Sequence, residues 1–214
     1  MAACLRFTRR VWKSFVENKG LLVFLAPYGI ADRGRGHSRH SSSQDMTLSA
    51  FLIVQQLQIH RAVPGCVESS LKIEQSNTNR VGTGKVSRAI WLTKVQWKSV
   101  IAVHGGLVLS LTDTLGSLAV ATKGHYMTGV STDIGTSFVR PAGRVGDVLY
   151  AKTTLTGMGK QLAYTRTDFK NEKGDLVAYG YHTKYVGKSS VHEKNVKLSE
   201  DGEKVLEGED IHVE

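Results

Sequence analysis

The sequence predicts an α+β fold in which one central helix, at about residues 105–123, is wrapped by a curved antiparallel sheet. Three observations predict it. The run His104-Gly-Gly-Leu-Val-Leu-Ser-Leu-Thr-Asp-Thr-Leu-Gly-Ser-Leu-Ala-Val-Ala-Thr-Lys is apolar on nearly every face, as a helix buried on all sides must be. Strand-like runs follow it one after another, separated by turn residues. Two further strand-like runs precede it, joined by Pro64-Gly65.

Each element has its own signal. Leu57 to Val63 and Cys66 to Ile73 flank the Pro-Gly turn and read as a hairpin. Leu48 to Val54 is apolar and reads as a helix or a leading strand. Gly124 is placed to stop the central helix. The later strands are expected at about Val130–Val139, Asp147–Thr156, Gln161–Asn171 and Leu176–Val186. Arg140-Pro-Ala-Gly-Arg, Gly157-Met-Gly-Lys and Asn171-Glu-Lys-Gly-Asp separate them. The third of these runs mixes Leu162, Tyr164, Thr165, Thr167 and Phe169, with imperfect alternation.

The chain has 214 residues, which fits one domain with extensions: a basic, disordered or targeting segment at 1–46, the domain at 47–186, and a polar, disordered tail at 187–214. The first segment carries Arg6, Arg9, Arg10, Lys13, Lys19, Arg33, Arg35 and Arg39 against Glu17, Asp32 and Asp45, and so resembles a mitochondrial transit peptide in composition. The expected compartment is mitochondrial or cytoplasmic. Cys4 and Cys66 are expected as free thiols. No run reads as a membrane span: Leu21 to Ala31 is short and holds Pro27 and Gly29. No metal site is expected, because His37 and His40 have no Cys or carboxylate neighbours. Net charge is +9, which suits an anionic partner. Zinc-finger and RNP-type patterns are missing, so nucleic acid is not expected to be that partner.

The chemistry concentrates in the central helix. Asp113 is the only ionisable side chain between Gly105 and Thr122. A buried, unpaired carboxylate is costly, so it calls for a functional or interface role, as a general base on water or as a nucleophile. His104-Gly105-Gly106 opens the same helix, where free N–H groups and the positive end of the dipole suit a developing oxyanion. A tight strand-to-helix turn would favour the same two glycines. Gly105 and Asp113 lie eight residues apart, about 12 Å along a helix. That is too far for both to act on one carbonyl within one chain, so a site using both must be shared across a dimer.

Asn77-Thr78-Asn79, His104-Gly105-Gly106 with Asp113, Gly129-Val-Ser-Thr-Asp133, Gly159-Lys-Gln-Leu-Ala-Tyr164 and Gly180-Tyr-His-Thr-Lys-Tyr185 occur in this order. Together they resemble the hotdog-fold thioesterase superfamily, and within it the acyl-CoA thioesterase 13 (thioesterase superfamily member 2) and PaaI-like group. The resemblance implies a hotdog fold and hydrolysis of medium- or long-chain acyl-CoA to free fatty acid and CoA, with coenzyme A as part of the substrate and no separate cofactor. It implies a homodimer or homotetramer with sites at the subunit interface. By motif position Gly105 would supply the oxyanion N–H, Asp113 would activate water, Ser131 would hold that water, and Asn79 would orient water or thioester. CoA contacts would fall on Ser131, Asp133, Phe138, Val139, Arg140, Pro141, Ala142, Gly143, Arg144, Gly157, Met158, Gly159, Lys160, Gln161, Leu162 and Tyr185. Arg140, Arg144, Lys160 and Lys184 would be its phosphate partners. A non-catalytic acyl-CoA-binding or scaffold protein is the alternative.

The sequence departs from that pattern in two places. Asn77 stands where the family often has His, and residues 84–102, with Trp91 and Trp97, separate Gly82-Thr83 from His104. Gly84-Lys85 is no phosphate-binding loop, because Asn79 and Val86 occupy positions that would need Gly and Ser or Thr. The segment lacks an amphipathic period and reads as translated intron or another gene-model error. Mature transcripts should therefore lack codons 84–102, and sequencing reads that run continuously through them would reject this; a genuine insert would displace Asn79 and impair activity.

Overall fold

In the computed structural model, residues 2–17, 56–78 and 103–210 are described. Helix α1 spans Ala3–Glu17, strand β1 Gln58–Val63 and strand β2 Cys66–Lys72. A 3-10 turn at Gln75–Asn77 leads on from β2, and helix α2 spans Gly105–Ala121. Strands β3 (Val130–Phe138), β4 (Val148–Met158), β5 (Leu162–Lys170) and β6 (Leu176–Tyr185) follow. Short strands β7 (Lys197–Leu198) and β8 (Val205–Glu207) close the described chain. The main sheet has six antiparallel strands in the order β1-β2-β4-β5-β6-β3, and α2 packs against five of them, β2 to β6. This is the expected sheet wrapped about one helix. Leu48–Val54, His37, His40 and the segment 84–102 lie outside the described residues.

The strands alternate more regularly than hydrophobicity alone reveals. In β5 Ala163, Thr165, Thr167 and Phe169 are buried, while Tyr164, Arg166 and Lys170 face out. Threonine is an inward residue here. The hydroxyls of Thr153 on β4 and Thr167 on β5 meet at 2.9 Å beneath the helix, so neither is left unpaired. At the hairpin, Val63 pairs with Cys66 across Pro64-Gly65, and Gly65 takes φ +86°, a conformation that glycine adopts without a Cβ penalty. The Gly65 N–H donates to Thr122 Oγ1 at 2.8 Å, which ties this turn to the end of α2. Gly124 follows with φ +87° and approaches the Val196 carbonyl so closely that a Cβ would lie 1.9 Å from it.

Two expectations are corrected. The first segment is not wholly a disordered extension: Ala3–Glu17 is a helix whose Ala3, Cys4, Phe7, Thr8 and Val11 form one buried face. Cys4, Phe7 and Val11 join the same core as Leu71, Leu115 and Phe169. Burial pushes the Cys4 thiol up to about 11, and it donates to the Thr122 carbonyl. The polar tail is also ordered up to residue 210. Its Gly202 and Glu203 carbonyls accept from the Cys4 and Ala3 N–H groups at the start of α1, at 2.8 and 3.3 Å. Arg6 pairs with Asp210 and Arg10 with Glu209. Two of the basic residues that looked like a leader therefore meet acidic residues 204 and 199 positions away, a pairing no local pattern displays.

Because α1 is part of the core, Phe7→Ala should destabilise the protein by about 3 kcal/mol or more, measured by urea unfolding. A loss below about 1 kcal/mol would place α1 outside the cooperative unit.

Candidate active site

The site begins with the inner face of β6. Ala178, Gly180, His182 and Lys184 are two residues apart, so they share one side of the strand, and all four are buried. Helix α2 lies directly on them. A Cβ on Gly180 would sit 2.4 Å from Thr112 Oγ1, and a Cβ on Gly116 would sit 2.7 Å from His182 Nδ1 and 2.8 Å from Thr165 Oγ1. One glycine on the strand and one on the helix thus let backbone and ring approach. The helix face formed by Thr112, Asp113, Gly116 and Ser117 is the one that meets β6.

Five polar side chains converge there. His182 Nε2 lies 2.8 Å from Ser131 Oγ and 3.4 Å from Asp113 Oδ1. The Ser131 hydroxyl makes a longer contact, 3.5 Å, to the same carboxylate oxygen. Lys184 Nζ donates to Ser117 Oγ at 2.8 Å and stands 4.0 Å from Asp113 Oδ1. Burial, then the Lys184 charge, push His182 down to about 4, against the attraction of Asp113 and Asp133. The ring is therefore neutral near pH 7. Its Nδ1 is buried and has no partner among the described residues, so the network assigns the proton to Nε2. Nε2–H then donates to Ser131, and Ser131 donates to Asp113. Burial also pushes the Lys184 ammonium down, and Asp113 opposes that shift.

Asp113 is only partly buried, with its side chain 31% exposed. Gly106, Leu109, Ser110 and Asp113 are the less buried positions at spacings of three and four. The helix is thus not buried on all sides: one strip stays open, and the carboxylate lies on it. A β-bulge between Ser131 and Asp133 lets Ser131 pair with Lys184 and Asp133 with Thr183.

The start of α2 is a second, separate centre. His104 caps it, and its Nδ1 accepts from the Gly106 N–H at 2.9 Å. The Gly105 N–H, first in the helix, has no partner among the described residues. Phe138 lies over Gly105, 3.1 Å from where its Cβ would be. Asn77 holds this turn through its carbonyl, which accepts from the His104 N–H at 2.9 Å. Its side-chain oxygen accepts from the Glu74 N–H, while its buried Nδ2 has no partner among the described residues.

The expected site residues divide accordingly. Gly105, Phe138, Val139, Arg140, Pro141, Ala142, Gly143 and Arg144 gather at the end of β3 that pairs with Ala178. Asp113, Ser131, Asp133, Tyr185 and the turn Gly157, Met158, Gly159, Lys160, Gln161 and Leu162 gather at the other end, where Val130 and Leu162 both pair with Tyr185. Along β3, Ser131 and Phe138 are seven residues, about 23 Å, apart, and along α2 Gly105 and Asp113 are about 12 Å apart. Arg144 and Lys160 are exposed, Arg140 is half-exposed beside Asp175, and Ala142 is buried in the core. Asn79 lies outside the described residues. Lys184 is corrected as a phosphate partner: it is buried under α2, beyond the reach of a surface ligand. His182 and Lys184 were missed as members of the carboxylate cluster. Their signal was their two-residue spacing in register with Ala178, which marks the inward face. Among the described residues no His, Cys, Asp and Glu side chains form a metal-binding group.

Comparison with known proteins places this arrangement. The family model of the thioesterase superfamily matches residues 102–178, which hold α2 and most of the sheet. Human acyl-coenzyme A thioesterase 13 is 31% identical over 127 residues, 59% of this chain and 76% of the relative. The chain belongs to the thioesterase superfamily. A Schizosaccharomyces pombe protein named as a candidate esterase is 29% identical over 198 residues, 92% of this chain and 94% of its own length. The crystal structure of zebra fish thioesterase superfamily member 2 matches with a TM-score of 0.52 at 25% identity, covering 64% of this chain and 86% of that one. The resemblance read from the motifs is confirmed, and the six-stranded sheet about a long helix is the superfamily's hotdog fold.

The state of His182 has a consequence for stability. Its pKa in the fold, about 4, lies below the ordinary value of 6.5. The unfolded chain therefore takes up a proton as pH falls through 6.5, while the folded chain does not until about 4. Stability is full above 6.5 and declines across that window. Between pH 7.5 and 4, the wild type should lose about 3 kcal/mol more than His182→Gln in urea unfolding. Equal losses would show that the ring is not held neutral.

Proposed function

We propose that this thioesterase-superfamily chain hydrolyses medium- or long-chain acyl-CoA to the free acid and CoA. The observation that carries the reading is the convergence of Ser131 and His182 on Asp113, a carboxylate open to solvent on one side and backed by polar groups on the other. Such a carboxylate is placed to take a proton from water as the water attacks the thioester carbonyl. The Ser131 hydroxyl, which accepts from His182, has a further lone pair for that water. The developing oxyanion requires N–H donors, and Gly105 offers one at a helix N-terminus. The tetrahedral intermediate then collapses, its carbon–sulfur bond breaks, and the pair leaves on the CoA sulfur.

The site residues support an assembly as well. Gly105 and Asp113 are two turns apart on one helix, so a carbonyl touching both needs Gly105 from one protomer and Asp113 of the partner subunit. The open edge of β3, with Val130 and Phe138 exposed, is where two copies would meet, as a dimer or within a tetramer. In that arrangement the Arg140–Arg144 loop of one chain and the Gly157–Leu162 turn of the other come to one substrate. Arg140, Arg144 and Lys160 are its available phosphate partners. The two free cysteines support a reducing compartment, mitochondrial or cytoplasmic.

Purified protein should release free thiol from acyl-CoA, and Asp113→Asn should lower kcat by about 10²- to 10⁴-fold with CoA binding retained. Robust turnover by that variant removes Asp113 from the mechanism. Ligand binding without thiol release by the wild type identifies a binding protein instead.

A further inference from the structure

Lys184 is the charged side chain that the reaction leaves without a task. It is 4% exposed, one strand in from the open edge. Burying an ammonium is costly, and an apolar side chain of the same length would fill the space without that cost. What the charge adds is therefore the question. Ser117 and Asp113 meet the Lys184 ammonium directly, and among the described residues the neighbouring His182 ring has its own polar surroundings. Helix α2 contributes Asp113 and Ser117, β3 contributes Ser131 and Asp133, β6 itself contributes His182, and β5 contributes the Thr165 hydroxyl, which donates to the His182 carbonyl.

Within that set the imidazole is the competing cation. His182 Nε2 is 3.4 Å from Asp113 Oδ1, nearer than the ammonium at 4.0 Å. A protonated ring would neutralise the carboxylate directly and weaken it as a base. A positive charge already in place makes that second protonation unfavourable, because like charges oppose each other across a poorly solvated space. Ser117 holds the ammonium at 2.8 Å, one helical turn below Asp113.

We propose that Lys184 is a positioning residue for the hydrolysis: its buried ammonium, anchored on Ser117 and facing Asp113, adds to burial in opposing protonation of the His182 ring and carries the neutral state to lower pH, so that the ring orients Ser131 and the carboxylate stays available to water over a wider acid range. The catalytic consequence rests on the acyl-CoA hydrolase reading; the effect on His182 does not.

The test uses the full chain with Lys184→Met, which keeps the length of the side chain, and Lys184→Arg, which keeps the charge. Two quantities are read: the titration of the His182 ring by NMR, and the acid limb of kcat/KM for acyl-CoA hydrolysis. In the wild type the ring should titrate at about 4. In Lys184→Met its midpoint should rise by about one pH unit or more, and the acid limb should rise with it. Lys184→Arg should restore both toward the wild type. An unmoved His182 midpoint in folded Lys184→Met, with activity lowered equally at every pH, overturns the proposal and leaves the lysine a packing role. Should Lys184→Met fail to fold, Ser117→Ala removes only the anchor and should move the midpoint upward by a smaller amount; no movement there overturns the proposal as well. A wild type that releases no thiol defeats the hydrolase reading, while the ring titration still decides whether Lys184 opposes protonation of His182.

Discussion

Everything at this site depends on how closely α2 lies on β6. Side chains are missing at two contact points, Gly180 on the strand and Gly116 on the helix. Thr112 fills the first gap, and the His182 ring fills the second. Because interiors are close-packed, a methyl group at either position would have to displace its neighbour by a large fraction of a bond length. The close approach brings Asp113 within reach of His182, Ser131 and Lys184, and it lets Ser117 meet the ammonium. A helix standing further off would take Ser117 and Asp113 from the buried lysine and leave the imidazole with Ser131 alone.

That contact also divides the site. It builds the carboxylate end completely within one chain, under the open strip of α2. It leaves the candidate oxyanion end two turns away, at a capped helix start where the Gly106 N–H is engaged and the Gly105 N–H has no partner among the described residues. The candidate CoA-binding segments follow the same division, one at each end of β3. A single chain thus presents two half-sites facing the same open edge. In the proposed dimer, two-fold symmetry would supply what the fold of one chain withholds.

Support from outside the sheet was the least expected feature. Helix α1 is held by the turn between β7 and β8, through the Cys4 and Ala3 N–H groups, and by the residues after β8, through the Arg6 and Arg10 ion pairs. The exposed ion pairs contribute little each, and the buried face of Ala3, Cys4, Phe7 and Val11 does more. This buried face extends the core beyond the segment that the thioesterase family model matches.

The sequence by itself determined the main architecture and the identity of the carboxylate. Period-two burial in β4, β5 and β6, turn residues between them and one apolar helix are local patterns, and local patterns survive in a linear reading. The lone Asp113 of α2 and the Gly pair at its start were legible for the same reason. β5 was harder to read only because its inward face is rich in threonine, whose hydroxyls are satisfied across strands. The tertiary structure decided what surrounds Asp113. Ser131, His182 and Lys184 lie 18, 69 and 71 positions along the chain from it, and only the packing of α2 on β6 and β3 brings them together. It likewise turned Lys184 from a surface cation into a buried one, and residues 3–17 from a leader-like segment into core. Both outcomes rest on partners distant in sequence, which composition and periodicity do not encode.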